Sequence, residues 1–170
     1  MLIDLGDLRI RPWRRDDLDA LLRYADNPRI AGNLRDQFPH PYTRRDALDY
    51  LEYVRTQDVR TAFAVEHEGE AVGGIGFRPG HDITRLSAEI GYWLGEPFWG
   101  RGFMTRVVKA ASDAAFQEYS VVRLFAFVFS PNVASIRVLE KAGFQQDGLM
   151  RRSAVKNGEI LDQFLFAKVR

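Results

Sequence analysis

The stretch Glu89-Ile-Gly-Tyr-Trp-Leu94, followed four residues later by Trp99-Gly-Arg-Gly-Phe-Met104, decides how this chain reads. It predicts a strand, a glycine-containing turn and the first turn of a helix. Such a turn presents backbone N–H groups to an anion, most usefully a phosphate. Gly100 and Gly102 flank Arg101; glycine takes positive φ and lets a phosphate approach the backbone closely. The helix N-terminus adds about half a positive charge from its dipole, and Arg101 and Arg106 can supplement that field. A purely structural strand-to-helix turn fits the same residues. A nucleotide P-loop does not, because Met104-Thr105 lacks the preceding lysine, and no Gly-x-Gly-x-x-Gly dinucleotide pattern follows the strand.

Outward from this stretch, the chain of 170 residues suits one domain with one sizeable core, residues 1–170. Aliphatic and aromatic residues make up 46% and charged residues 28%, a globular balance. The net charge is +1 and the basic residues are dispersed, so nothing points to nucleic acid. The pairs Arg14-Arg15, Arg44-Arg45 and Arg151-Arg152 read as solvated surface. The absence of cysteine excludes disulfides, thiol nucleophiles and cysteine-ligated metals. Asp4 and Asp7 interrupt the apolar N-terminus, which argues against a signal peptide. No apolar run approaches membrane-spanning length, and a cytoplasmic location is expected.

Local patterning yields an α+β fold. Leu8-Arg-Ile-Arg-Pro12 alternates apolar and polar residues like a first strand. Asp16 and Asp17 offer N-caps to a helix carrying Leu18, Leu21, Leu22 and Ala25, and Asn27-Pro28 is expected to end it. Residues 33–42, with Pro39, His40 and Pro41, read as a loop. Thr43 caps a second helix with Leu48, Leu51, Tyr53 and Val54 as candidate buried positions. Residues 62–66 and 71–77 form a hairpin around Gly69, and residues 88–94 a third strand. Met104, Val107, Val108, Ala111, Ala114 and Ala115 mark an amphipathic helix. Residues 123–129 read as a buried strand. Asn132 caps a short helix closed by Gly143, with Phe144 beyond it. A last strand pair turns at Lys156-Asn-Gly-Glu159. His67 and His81 fall in predicted turns, Trp13, Trp93 and Trp99 read as core or wall aromatics, and no spacing of His, Asp and Glu suggests a metal site.

Three segments, Glu89-Ile-Gly-Tyr-Trp-Leu94, Trp99-Gly-Arg-Gly-Phe-Met104 and Ser130-Pro-Asn-Val-Ala-Ser-Ile-Arg-Val-Leu-Glu-Lys-Ala-Gly-Phe144, together resemble the GNAT superfamily of N-acetyltransferases. More narrowly they resemble its RimJ/RimL-like branch, which acetylates ribosomal-protein N-termini. The likeness runs over nearly the whole chain in the right order. It implies a mixed, largely antiparallel central sheet flanked by helices. It implies acetyl-CoA as donor, with the pyrophosphate on backbone amides of Gly100, Arg101, Gly102, Phe103, Met104 and Thr105. Pantetheine then lies along Tyr92, Trp93 and Leu94, with Asn132 against its arm and Ser135 near the thioester sulfur. The acceptor it implies is a primary amine, foremost a protein N-terminal α-amine. A small-molecule amine, and a non-catalytic acyl-CoA-binding module, remain as alternatives. A homodimer is compatible with the likeness.

Departures from the family pattern are visible too. Trp99 stands where Gln or Arg is usual, and Met104 where Gly or Ala is usual. Leu139 replaces the tyrosine that serves many members as general acid, which leaves that role to Ser135 or to water. Glu89 is the first choice for the general base, directly or through a water; in a strand it shares a face with Gly91 and Trp93. A surface carboxylate at a strand start fits Glu89 equally well. Asn33, Phe38, His40 and Tyr42, in or beside the first long loop, are the acceptor-side candidates. His40 is of a type that can act as a base, though between two prolines it also reads as a plain loop residue.

Overall fold

A computed structural model describes all residues, Met1–Arg170. Eight strands form one sheet in the order β1 (Ile3–Asp4), β2 (Leu8–Pro12), β3 (Ala62–His67), β4 (Glu70–Pro79), β5 (Ser87–Leu94), β6 (Arg123–Phe129), β8 (Glu159–Val169), β7 (Gln145–Lys156); β5 and β6 pair in parallel, and the pairs β1–β2, β2–β3, β3–β4, β6–β8 and β7–β8 are antiparallel. By chain contacts the residues fall into two compact units, Met1–Gly76 with Tyr92–Phe103, and Phe77–Gly91 with Met104–Arg170.

The first unit begins with a two-residue strand β1 (Ile3–Asp4) that the alternation of the sequence does not announce. β2 (Leu8–Pro12) pairs with it and with β3 (Ala62–His67), and β3 pairs with β4 (Glu70–Pro79) across the Gly69 turn. Phe63, Ala64 and Val65 are all 0% exposed, so β3 is covered on both faces. Three helices belong here: α1 (Leu18–Ala25), α2 (Pro28–Ala31) and α3 (Arg44–Thr56). Leu21 of α1 and Leu51 and Val54 of α3 reach a core shared with Trp13 and Tyr42. Burying each of those aliphatic side chains stabilises the fold by about 1.5–3 kcal/mol.

Four expectations change in this unit. Asp17 does not cap α1 with its side chain; it sits in a 3₁₀ turn, Arg15–Asp17, and is buried. Its carboxylate takes two hydrogen bonds from Arg11 at 2.7 Å each, while Arg11 Nε donates to Glu66. Arg11 is therefore buried (1% exposed) and breaks the alternation expected of its strand. A guanidinium has five donors, and here two buried carboxylates use three of them. Asn27-Pro28 does not merely end a helix. The Asn27 side chain accepts from Arg29 N at 2.8 Å and Pro28 occupies the first turn, so the pair starts α2. In α3, Leu51 and Val54 are buried as expected, but Leu48 and Tyr53 are exposed, and Ala47 takes the inner position instead. The Thr43 cap stands, with its hydroxyl accepting from Asp46 N and the Asp46 carboxylate accepting from Thr43 N.

In the second unit, β5 (Ser87–Leu94, shared with the first) runs parallel to β6 (Arg123–Phe129) through three residue pairs, ending at Glu89↔Phe125. The buried strand expected at β6 is fully buried on one face, through Leu124, Ala126 and Val128, and half-buried on the other. α4 (Phe103–Glu118) buries Val107, Val108, Ala111 and Ala115 completely, and Ala114 is half-buried. α5 (Val133–Lys141) ends in a Schellman arrangement: Gly143, at φ +90°, donates to Glu140 O, and Phe144 N donates to Leu139 O. β7 (Gln145–Lys156) and β8 (Glu159–Val169) turn at Asn157-Gly158, both at positive φ, as a tight hairpin requires. No helix is long and apolar enough to cross a membrane.

Candidate active site

The glycine turn lies between a 3₁₀ turn, Glu96–Phe98, and α4. Gly100 and Gly102 adopt φ +76° and +75°, the left-handed region that favours glycine. A Cβ placed on either would meet no atom within 4 Å. No protein group crowds these two positions, so the backbone there is open to close approach. Phe103 and Met104 are buried (both 6% exposed), so their side chains belong to the interior and only their backbone is available to a ligand. Thr105 is half-buried and Arg101 exposed.

An aromatic group flanks the turn within the first unit. Phe98 and Phe103 stack with centroids 6.5 Å apart, and the guanidinium of Arg101 lies 5.5 Å and 5.9 Å from their ring centres. His67 packs edge-on against Phe103 at 4.8 Å, its Nδ1 donating to Asp7 O at 2.7 Å. Sequence reading assigned His67 only to a turn. Its neighbours lie more than thirty positions away along the chain, so no local signal could have found them.

Backbone direction in β5 follows from two hydrogen bonds, Gly80 N to Ser87 O and Gly95 N to Val72 O, each 2.8 Å. They define one antiparallel register, in which odd-numbered β5 residues turn their N–H and C=O towards β4. Even-numbered residues, Tyr92 and Leu94 among them, turn theirs the other way. Leu94 O accordingly accepts from Trp99 Nε1 at 2.7 Å. Glu89 is half-buried and occupies the last pair of the parallel ladder.

The expected acceptor-side residues are partly brought together. Phe38 packs on Tyr42 (5.2 Å) and on Trp93 (5.7 Å). Tyr42 is itself buried, 6% exposed, and burial pushes its phenol up to about 12. It contributes shape from within the core rather than an exposed wall. His40 stands apart from this cluster, exposed, with Nδ1 3.1 Å from Asp26 Oδ1; the same oxygen accepts from Tyr42 N at 2.8 Å. Asn33 is exposed, and its Nδ2 donates to Arg29 O at 2.9 Å. In the second unit, Asn132 Oδ1 accepts from Ser135 N at 3.1 Å, so the capping role expected of Asn132 is present. Ser135 is half-buried. Leu139 is fully buried, a position where an aliphatic side chain is in place. No group of three or more His, Asp or Glu residues is placed to hold a metal ion.

Known proteins resemble this chain in sequence and in fold. The Acetyltransferase (GNAT) domain family matches residues 7–145. The uncharacterized N-acetyltransferase p20 of Bacillus licheniformis is 28% identical over 166 residues, covering 96% of this chain and 93% of p20. The L-amino acid N-acetyltransferase AaaT of Escherichia coli is 26% identical over 170 residues, covering 98% of this chain and 100% of AaaT. Among solved structures, RimL, the ribosomal L7/L12 α-N-protein acetyltransferase in complex with coenzyme A, superposes with a TM-score of 0.87. It is 20% identical, covering 99% of this chain and 98% of RimL. An open glycine turn at the head of a helix, on a sheet of this topology, with a family match across most of the chain, places the protein in the GNAT family of N-acetyltransferases.

Proposed function

We propose that this acetyltransferase moves the acetyl group of acetyl-CoA to the α-amine of a protein N-terminus, by direct attack in a ternary complex. The observation that carries the donor site is the glycine turn, open to an added Cβ at both Gly100 and Gly102. The amides of Gly100, Arg101, Gly102 and Phe103 are the pyrophosphate donors in this reading, joined by those of Met104 and Thr105 at the head of α4. Pantetheine lies along Tyr92, Trp93 and Leu94, pairing with the outward backbone groups of Tyr92 as an added strand does. Asn132 and Ser135 serve the pantetheine arm and the sulfur. Phe38, Tyr42 and Trp93 shape the acceptor side, with Asn33 and His40 at the loop.

Acetyl-CoA supplies an activated acyl group, and the attacking amine must be neutral. An α-amine titrates near 7.7–8.0 and a lysine amine near 10.4, a difference of about 3–4 kcal/mol in the work of deprotonation. A single carboxylate then suffices as base, and Glu89 is assigned that role. The N–H of Leu94 points away from β4 and is assigned to the developing oxyanion, whereas that of Trp93 is directed to β4. Ser135 is the candidate to return a proton to the leaving thiolate, or water does so.

RimL, named as an α-N-protein acetyltransferase, supports the N-terminal acceptor. AaaT, named for L-amino acids, favours a second reading in which the acceptor is a free amino acid. Mass spectrometry of N-terminal peptides and free amino acids incubated with acetyl-CoA separates them. Acetylation of peptide α-amines is expected, and product on amino acids alone would refute the proposal. Tight coenzyme A binding with no product on any amine would leave a binding module.

A further inference from the structure

Arg29 is exposed, yet it is held on three sides. It pairs with Glu96, whose other carboxylate oxygen accepts from Asn27 Nδ2 at 2.7 Å. Its guanidinium lies 5.1 Å from the centre of the Trp99 ring. Its own backbone carbonyl accepts from Asn33 Nδ2. Trp99 immediately precedes Gly100 and is fixed at its other end by Leu94 O. Asn33 opens the loop that carries Phe38 and His40. One short helix, α2, thus touches the residue that enters the glycine turn and the residue that enters the acceptor loop.

Exposed ion pairs and exposed cation–π contacts stabilise a fold little. The consequence of this arrangement is orientation. Trp99 is 39% exposed, yet its ring is anchored at two points, by Nε1 on the end of β5 and by Arg29 over the ring, and the backbone entering Gly100 starts from it. We propose that Arg29 is a positioning residue that holds the Trp99-Gly100 turn in its acetyl-CoA-binding geometry. Through α2 it ties that turn to the acceptor loop, so that the two substrates bind with coupled affinity. The inference rests on the turn being the acetyl-CoA site.

The test compares Arg29→Met and Arg29→Lys with the unaltered protein. Calorimetry measures the Kd for coenzyme A, and steady-state kinetics the two Michaelis constants and kcat. Arg29→Met is expected to raise the Kd for coenzyme A and the KM for acetyl-CoA by about fivefold or more. It should also raise the KM for the acceptor, with kcat held within about twofold, the pattern of lost binding rather than lost chemistry. Arg29→Lys, which keeps a cation for Glu96 and Trp99, should restore most of the loss. A lowered Tm with an unchanged Kd for coenzyme A would overturn the positioning role. A raised Kd with an unchanged acceptor KM would overturn the coupling. If no acceptor is acetylated at all, the reading of the reaction fails, and the coenzyme A titrations still decide the role of Arg29.

Discussion

Replacing Gly102 with alanine separates what the turn requires as backbone from what it offers a ligand. At φ +75°, an L side chain is strained by about 1–2 kcal/mol. Nothing lies within 4 Å of the new Cβ, so the protein itself adds no clash. For a chain of this length that strain lowers Tm by about 2–8 °C. Gly143→Ala carries the same kind of strain at φ +90°, and its Cβ would touch only Lys168 Cε at 3.8 Å, an ordinary contact. Gly143 terminates α5 and is not part of the turn. The two variants should therefore lose similar stability. Only Gly102→Ala places a methyl where the pyrophosphate is proposed to sit, and its KM for acetyl-CoA should rise about tenfold, equivalent to about 1.4 kcal/mol. Thermal denaturation and initial-rate kinetics on both variants read the two effects separately. Equal KM values in the two variants, with both folded, would refute the assignment of the turn to acetyl-CoA.

Arg11→Met should destabilise the fold by about 3–5 kcal/mol, because the buried carboxylate of Asp17 would lose its cation and that of Glu66 would keep only Arg9 and Arg14, at 3.7 and 3.8 Å; denaturant unfolding measures it, and a loss below about 1 kcal/mol would show that the cluster is not stabilising. Glu89→Gln should lower kcat by about 10²–10⁴-fold, with the steepest loss at acidic pH where the amine is mostly protonated; a pH–rate profile of unchanged shape and height would remove Glu89 as the base. The raised phenol of Tyr42 stabilises the fold below about pH 10, the unfolded value, and that contribution is lost as pH rises to about 12. Tyr42→Phe should therefore remove on the order of 2–3 kcal/mol of the alkaline loss of stability, measured by urea unfolding at about pH 9 and pH 12; an alkaline loss identical to that of the unaltered protein would contradict the burial argument.

Much of the fold was legible because its signals are local. The Thr43 cap with Asp46, the Asn132 cap and the Gly143 stop each rest on hydrogen bonds between residues at most five apart. The Asn157-Gly158 turn rests on the backbone preference of those two residues. Such bonds depend on residue type and spacing, which the sequence states directly. The glycine turn is of the same kind, since positive φ is a demand that glycine meets at least cost. The exceptions came where a competing partner lay far along the chain. Asp17 has the chemistry of a cap, but Arg11 and the closeness of Glu66 draw it into a buried ion cluster. Leu48 and Tyr53 fit the helical period of α3 yet face solvent, because the core stripe runs through Ala47, Leu51 and Val54. A small residue on the inner face lets a helix approach its neighbours closely, and the larger Leu48 and Tyr53 outweigh it in a reading by apolar bulk.

By itself, then, the sequence determined most of the strands and helices, the caps at Thr43 and Asn132, the Gly143 stop and the glycine turn before α4. Each depends on torsional preference and short-range hydrogen bonding. Tertiary structure decided which side chains meet. Arg11 is buried because two carboxylates from other elements surround it. His67 supports Phe103, and Arg29 spans from α2 to Glu96 and Trp99, 67 positions and more along the chain. A contact between distant positions exists only once the chain has closed on itself, so its partners leave no periodic or local trace in the sequence. That is why the glycine turn was legible in advance, and what holds it in place was not.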